Sequence, residues 1–336
     1  MVLDLAGAAQ PMRRRDFITL VGGAAAAWPL AAGAQQRPAV IGYLNLGSPE
    51  ANARTLAALR RGLAENGYVE GKNITIEYRW AQNDFGRQPE LANDLVRRQV
   101  AVIVTNGISS AVAAKAATKT IPILFSTGGD PVAAGLVASF NRPGGNLTGF
   151  TNLGAEVEAK RFGLLHDLLP QATRFAVVVN PTSPNTEPIS RSTQAAAAAL
   201  GRQVDILGAS NSREIEVAFA ELTKKGTQAL LVSPNNFLNS RRSQIVTLAA
   251  LHRLPAIYGD RSFTEIGGLM SYGTDDTFGA YQGGIYAARI LKGAKPADLP
   301  VIQSSKFEFI INLATARAME LAVPGDLLSI ADEVIE

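Results

Sequence analysis

No cysteine occurs among the 336 residues. That removes disulfides, thiol nucleophiles and thiolate metal sites, and with them a lipidated cysteine at an export cleavage point and the paired-cysteine chemistry of racemases of similar α/β shape. Histidine is nearly as scarce: His166 and His252 stand far apart, on different expected helices. There is no HExxH, no CxxC and no EF-hand loop, so no metal is expected. A GxSxG elbow and a Walker A loop are also missing, so no catalytic residue is assigned, the chain is not read as an enzyme, and no cofactor is expected. Charged residues make up 18% of the chain and the formal charge is only +3. The one basic block is Arg13-Arg14-Arg15, which argues against a nucleic-acid partner, since such proteins cluster Lys and Arg on one face. No apolar run reaches the ~20 residues that span a bilayer as a helix.

The chain does contain an address. Arg14-Arg15-Asp16-Phe17-Ile18 has the paired arginines, spacer, aromatic and aliphatic of a twin-arginine signal, and an Ala- and Gly-rich apolar run from Ile18 to Ala32 follows. Ala32-Gly33-Ala34 fits a small-x-small cleavage site. Residues 1–34 are therefore expected to be a signal cleaved near Ala34, delivering the protein to the periplasm. A membrane anchor is the alternative, disfavoured by the short run. Met12 is an alternative start.

Beyond the signal, short apolar runs alternate with helical periodicity. Ala39–Leu44, Ile74–Tyr78, Val100–Thr105 and Ile121–Phe125 read as strands, and Glu50–Asn66, Pro89–Arg98 and a Ser-capped, Ala-rich helix over 109–118 separate them. Gly67 reads as a helix stop. The alternation resumes with strands near 175–179, 204–207, 229–232, 256–258 and 307–311. Such βα repetition predicts parallel sheets with right-handed crossovers. The halves repeat an architecture, not a sequence. With 47% hydrophobic residues, both can bury a core.

In open α/β sheets, ligands sit beyond the carboxyl ends of strands, and that rule picks the candidates. In the first half they are Asn45, Leu46 and Ser48, then Asn106 and Gly107, then Ser126, Thr127 and Asp130. A ligand carboxylate would sit on hydroxyls and free N–H groups at a helix start. An ammonium group would need Asp130, although Asp before Pro131 is equally an N-cap, with Pro131–Phe140 a short helix or turn. In the second half the candidates are Asn180, Asn235, Tyr258, Asp260 and Tyr272. Tyr258 is offered as a stacking surface for an aromatic ligand, Asp260 as a second ammonium partner, and Tyr272 as a hinge or wall residue. Trp80 is read as packing. Asn146-Leu147-Thr148 matches a glycosylation sequon but is read as turn chemistry.

Several blocks, in order, resemble a known family: Gly129-Asp-Pro-Val-Ala-Ala-Gly-Leu-Val137, Arg142-Pro-Gly-Gly-Asn-Leu-Thr-Gly149, Gly267-Gly-Leu-Met-Ser-Tyr-Gly273, Lys292-Gly-Ala-Lys-Pro-Ala-Asp-Leu-Pro300 and Lys306-Phe-Glu-Phe-Ile-Ile-Asn-Leu313. Over residues 37–336 the chain is similar to ABC-transporter substrate-binding proteins of the tryptophan/tyrosine type. The resemblance implies a type I periplasmic binding protein fold, with two Rossmann-like lobes joined by a three-segment hinge. Lobe 1 would hold residues 37–150 and 273–302, and lobe 2 residues 151–272 and 303–336, with 147–151 as the first crossing. It further implies a monomer that captures a small molecule, an amino acid and by resemblance an aromatic one, and passes it to an ABC permease in the inner membrane. The residues leave open an aromatic or branched carboxylate as ligand. They also leave open a sensor docking on a receptor, and a periplasmic enzyme, which the missing cofactor motifs disfavour.

Overall fold

The computed structural model describes residues 38–152, 154–304 and 306–336. The export segment expected at residues 1–34 lies outside them. Residues 38–336 form one contact-linked unit. Its elements begin with β1 (Ala39–Asn45), α1 (Ala53–Glu65), β2 (Ile74–Trp80), α2 (Gln88–Arg97), β3 (Val102–Asn106), α3 (Ile108–Ala117), β4 (Ile123–Thr127) and β5 (Leu147–Thr151). They continue with α4 (Gly154–Leu168), β6 (Arg174–Val179), α5 (Thr186–Ala199), β7 (Gln203–Gly208), α6 (Ser212–Lys225), β8 (Ala229–Val232), α7 (Asn236–Ser240), α8 (Arg242–Leu251), β9 (Ala256–Tyr258), α9 (Arg261–Thr264) and β10 (Met270–Thr274). Last come α10 (Asp276–Leu291), β11 (Ile302–Gln303), β12 (Phe307–Asn312), α11 (Leu313–Ala318), α12 (Gly325–Ile330) and β13 (Glu333–Ile335).

Two sheets result. The first, in the order β11-β5-β4-β3-β1-β2, is parallel throughout. The second, β13-β12-β10-β9-β8-β6-β7, is parallel except where β12 runs antiparallel to β10. Interior strands such as Val102–Thr105 and Ala229–Val232 are buried along their whole length, as expected where helices cover both faces of a parallel sheet. Each sheet has an apolar cluster on either face, led by Phe162 and Phe175 or by Phe219 and Tyr258 in the second lobe. Leu59 and Phe150, or Leu44 and Phe125, lead those of the first.

The chain leaves the first sheet after Thr151, leaves the second after Thr274 and leaves the first again after Gln303. Leu147–Thr151, expected as the strand that leaves the first sheet and as the first crossing, is a fully buried strand between β4 and β11, and the crossing comes after it. Gly273 and Thr274, expected in lobe 1, pair with β12 in the second sheet, and Gln303 pairs with Thr151 in the first. The returning helix α10 packs on α1 with the backbones nearly touching. A Cβ at Gly62 would lie 2.2 Å from the Tyr281 carbonyl oxygen, and one at Gly284 2.3 Å from that of Leu59, so only glycine fits at these two positions.

Local details differ from the sequence reading. Helix α3 starts at Ile108 behind Gly107 (φ +94°), with no side-chain cap. Ser110 donates to Gln88 instead, and Gln88 donates to Ser109. Of the short helix or turn expected over Pro131–Phe140, the structure has turns and bends. Trp80 stacks 6.2 Å from Tyr78 on the edge strand β2 and tilts against Tyr43.

Candidate ligand-binding cleft

Register brings the strand ends of the first sheet into a row. Asn106 pairs beside Asn45 on one side and Ser126 on the other, and Thr127 lies beside Thr151. The carboxyl ends of the second sheet face this row across a cleft of about 150 Å³. The lobes are in contact at its mouth. Arg54 on α1 donates to Glu265 at 3.2 Å, and a Cβ at Gly129 would fall 2.5 Å from Asn185 Oδ1. At the hinge, Asn152 Nδ2 donates to Thr274 Oγ1 at 2.9 Å, tying the first crossing to the second.

Seven of the sequence candidates line this cleft: Leu46, Asn106, Gly107, Ser126, Thr127, Asn235 and Asp260. Thr127 Oγ1 also accepts from Gly129 N–H. Asn235 and Asp260 double as N-caps, accepting from Phe237 N–H at 2.9 Å and Ser262 N–H at 2.8 Å.

Six candidates do not line it, each for a physical reason. Asn45 is fully buried, accepting from Gly47 N–H and donating to Asn52 and Tyr43. Ser48 sits in the same turn, its carbonyl taken by Asn52. Asp130 is exposed, and its carboxylate accepts from Val132 and Ala133 N–H, closing the turns that follow it, away from the cleft lining. Asn180 is buried beneath the cleft, bonded to Thr182 and to Asn235. Tyr258 points to the opposite face of its strand, stacked on Phe263 with centroids 4.5 Å apart, where burial raises its phenol pKa. Tyr272 stacks on Phe307, and its carbonyl accepts from Arg161 Nε.

The cleft also contains residues the strand-end rule passed over. Tyr43 and Leu59 are buried in the first-lobe core yet line the wall. Burial pushes the Tyr43 phenol up, opposed by hydrogen bonding to Asn45. Phe85 comes from the loop after β2. That loop is held against the β1 turn by N–H donation from Gln82 to Gly47 and from Asn83 to Leu46, with both donors at positive φ (+57° and +64°), a region non-glycine residues seldom occupy. Asn152 follows β5 and Thr274 ends β10, where the chain passes between the lobes. Arg161 on α4 carried no such signal. It is buried, pairs with the buried Glu158 at 2.8 Å, and donates from Nε to the Tyr272 carbonyl at 2.6 Å. Among the described residues no group of three His, Asp or Glu side chains is placed to hold a metal ion. Nor is any helix there long and apolar enough to cross a membrane.

Two α/β lobes joined by three crossings around an interlobe cleft define a type I periplasmic binding protein architecture, and solved structures share it. A family model for ABC transporter substrate binding proteins matches residues 46–335, and the chain belongs to that family. It is 31% identical over 261 residues to a tyrosine-binding protein of Clostridioides difficile (strain R20291), covering 78% of this chain and 75% of the relative. Among solved structures it is similar to an ABC domain in complex with L-Trp from Streptococcus pneumonia. That domain is 26% identical, the match covers 88% of this chain and 100% of that one, and the TM-score is 0.79. A second is the ligand-free, open structure of a substrate binding protein with adhesive properties from Clostridium difficile, 28% identical, covering 88% and 99%, with a TM-score of 0.64.

Proposed function

We propose that this protein captures an aromatic amino acid, tyrosine or tryptophan, in the periplasm and delivers it to an ABC permease, closing its lobes on the ligand as a monomer and catalysing nothing. The observation that carries the reading is the division of labour in the cleft. Tyr43, Leu59, Phe85 and Phe150 offer an apolar wall on one side, and Asn152, Arg161, Asn235 and Asp260 offer polar and charged groups on the other. An aromatic amino acid has these same two halves. The tyrosine-binding relative and the L-Trp complex support the ligand class. The Arg54–Glu265 contact across the mouth supports closure. So does the better match to the L-Trp complex than to the open, ligand-free structure at nearly equal identity.

The test is a thermal-shift and calorimetric screen of the amino acids, with aromatic and branched carboxylic acids alongside. Tyrosine or tryptophan should raise stability by about 2.7 kcal/mol at a hundredfold excess over Kd, and small-angle scattering should show the particle contract on binding. If no amino acid shifts the melt but a simple carboxylic acid does, the amino-acid reading is wrong. The export route is tested separately: replacing Arg14 and Arg15 by Lys should leave the protein in the cytoplasm, and unchanged export would exclude the twin-arginine route.

A further inference from the structure

The floor of the cleft holds one unused donor and one unused acceptor. The guanidinium of Arg161 lines the cleft although its side chain is only 4% exposed. Two of its nitrogens are engaged: Nε by the Tyr272 carbonyl and Nη1 by Glu158 Oε2. Nη2 donates to no described residue. A few residues earlier, Asn152 also lines the cleft. Its Nδ2 is spent on Thr274, while its Oδ1 is buried without a hydrogen-bond partner among the described residues. Leaving Asn152 Oδ1 buried and unpaired is costly, and Arg161 faces the cleft, so a molecule that fills the cleft is favoured if it brings an anionic acceptor to Arg161 and a cationic donor to Asn152.

We infer that Arg161 is the anchor for the ligand's carboxylate, with Asn152 Oδ1 the acceptor for its ammonium group. The inference rests on the proposed amino-acid reading and assigns residues within it. Arg suits the role because its planar fork presents donors that match a carboxylate and stays charged at any physiological pH. The surroundings fix its position. Glu158, one turn earlier on α4, holds Nη1, and the bond to Tyr272 holds Nε. Gly259 leaves the space: a Cβ there would lie 3.2 Å from Arg161 Cζ and Nη2. Tyr272 lies two residues before the second crossing and Asn152 lies on the first, so a ligand gripped here bears on both hinge segments.

The experiment measures binding of L-tyrosine, tyramine (no carboxylate) and 3-(4-hydroxyphenyl)propionate (no ammonium) to the wild type and to the double variant Arg161→Met/Glu158→Gln. Both members of the buried pair are exchanged because neutral replacements of similar size leave no unpaired charge, whereas removing one does. The wild type should bind L-tyrosine at least about tenfold tighter than tyramine. The variant should lose about 10- to 100-fold for both carboxylate-bearing probes, with tyramine nearly unchanged. A purely structural role would weaken all three together, and a variant that keeps the preference for carboxylates overturns the assignment. So does equal binding of tyrosine and tyramine by the wild type, which needs no variant to fold. If only the propionate binds and the variant loses it, Arg161 stands as the anchor while the amino-acid reading falls. If neither L-tyrosine, L-tryptophan nor the propionate binds, both fall.

Discussion

The two walls of the cleft are built to different rules. The first lobe presents Tyr43, Phe85, Phe125 and Phe150, with hydroxyls from Thr105, Ser109 and Ser126. Among the described residues the charged lining groups, Arg161 and Asp260, both come from the second lobe, and so do Asn152, Asn185, Asn235, Asn236 and Asn239, against Asn106 alone from the first. Apolar contact is non-directional, and a ring can settle against it before the site is complete. Hydrogen bonds to charged groups demand geometry. On the proposed function, the first lobe supplies adhesion and the second supplies discrimination, so closure is the step at which the right ligand is told from the wrong one.

The sharpest way to break this division is to unbalance the second lobe. Glu158→Ala leaves Arg161 buried without its partner and should cost about 3–5 kcal/mol in urea unfolding, while the double neutral variant should cost far less. Equal losses would mean that the pair is not the unit it is taken to be. On the opposite wall, Leu59→Ala should cost about 2–5 kcal/mol, as for a buried leucine, and should weaken L-tyrosine and tyramine by the same factor. A loss confined to tyrosine would contradict the assignment of adhesion to the first lobe. Asp260→Asn removes the acidic group of the cleft lining and should lower affinity for L-tyrosine about tenfold while leaving the ammonium-free propionate unaffected, whereas Asp130→Asn, in an exposed turn, should do nothing to either. Arg54→Ala removes an exposed clasp between the lobes. Its effect should stay below about 1 kcal/mol and vanish in high salt; a larger loss of affinity would make the clasp part of the binding free energy.

The smallest effect at neutral pH lies in the outer face of the first lobe. The hydrogen bond from Arg79 holds the Asp94 carboxyl below its ordinary value, with Arg98 adding to it. A depressed carboxyl contributes its full stability above its unfolded pKa and loses it as pH falls through the folded value. Acid should therefore loosen the first lobe, read by fluorescence of Trp80, and Asp94→Asn should flatten that limb by lowering stability at neutral pH slightly, toward the value the wild type reaches in acid. An unchanged acid limb in the variant would assign the acid sensitivity elsewhere.

The strand-end rule reached Leu46, Asn106, Ser126, Asn235 and Asp260 because parallel strands bring their carboxyl ends to one edge whatever their side chains. It failed at Asn45, Asp130 and Asn180, where the same small polar residues spend their bonds on their own turns. Sequence position is identical in the two cases, and Asn235 and Asp260 also accept from a nearby backbone N–H; the difference is whether the fold leaves the side chain at the cleft, as for those two, or beneath or away from it, as for Asn45, Asn180 and Asp130. Tyr258 failed for another reason. Side chains alternate across a strand, and which face meets the cleft depends on how the sheet is covered.

By itself the sequence determined the alternation of strand and helix, the parallel pairing that follows from it and the family, because hydrophobic period and turn residues are local properties of a chain. Only the tertiary structure decided which polar groups remain unspent at the cleft. Glu158 and Arg161 read as an ordinary helical pair at a spacing of three residues, usually solvated and worth little. Burial beneath the cleft, beside Tyr272 and Gly259 from distant segments, turns the same two side chains into a fixed ion pair whose guanidinium lines the cleft. Desolvation makes that difference, and it depends on the packing of the whole second lobe and on no residue taken alone.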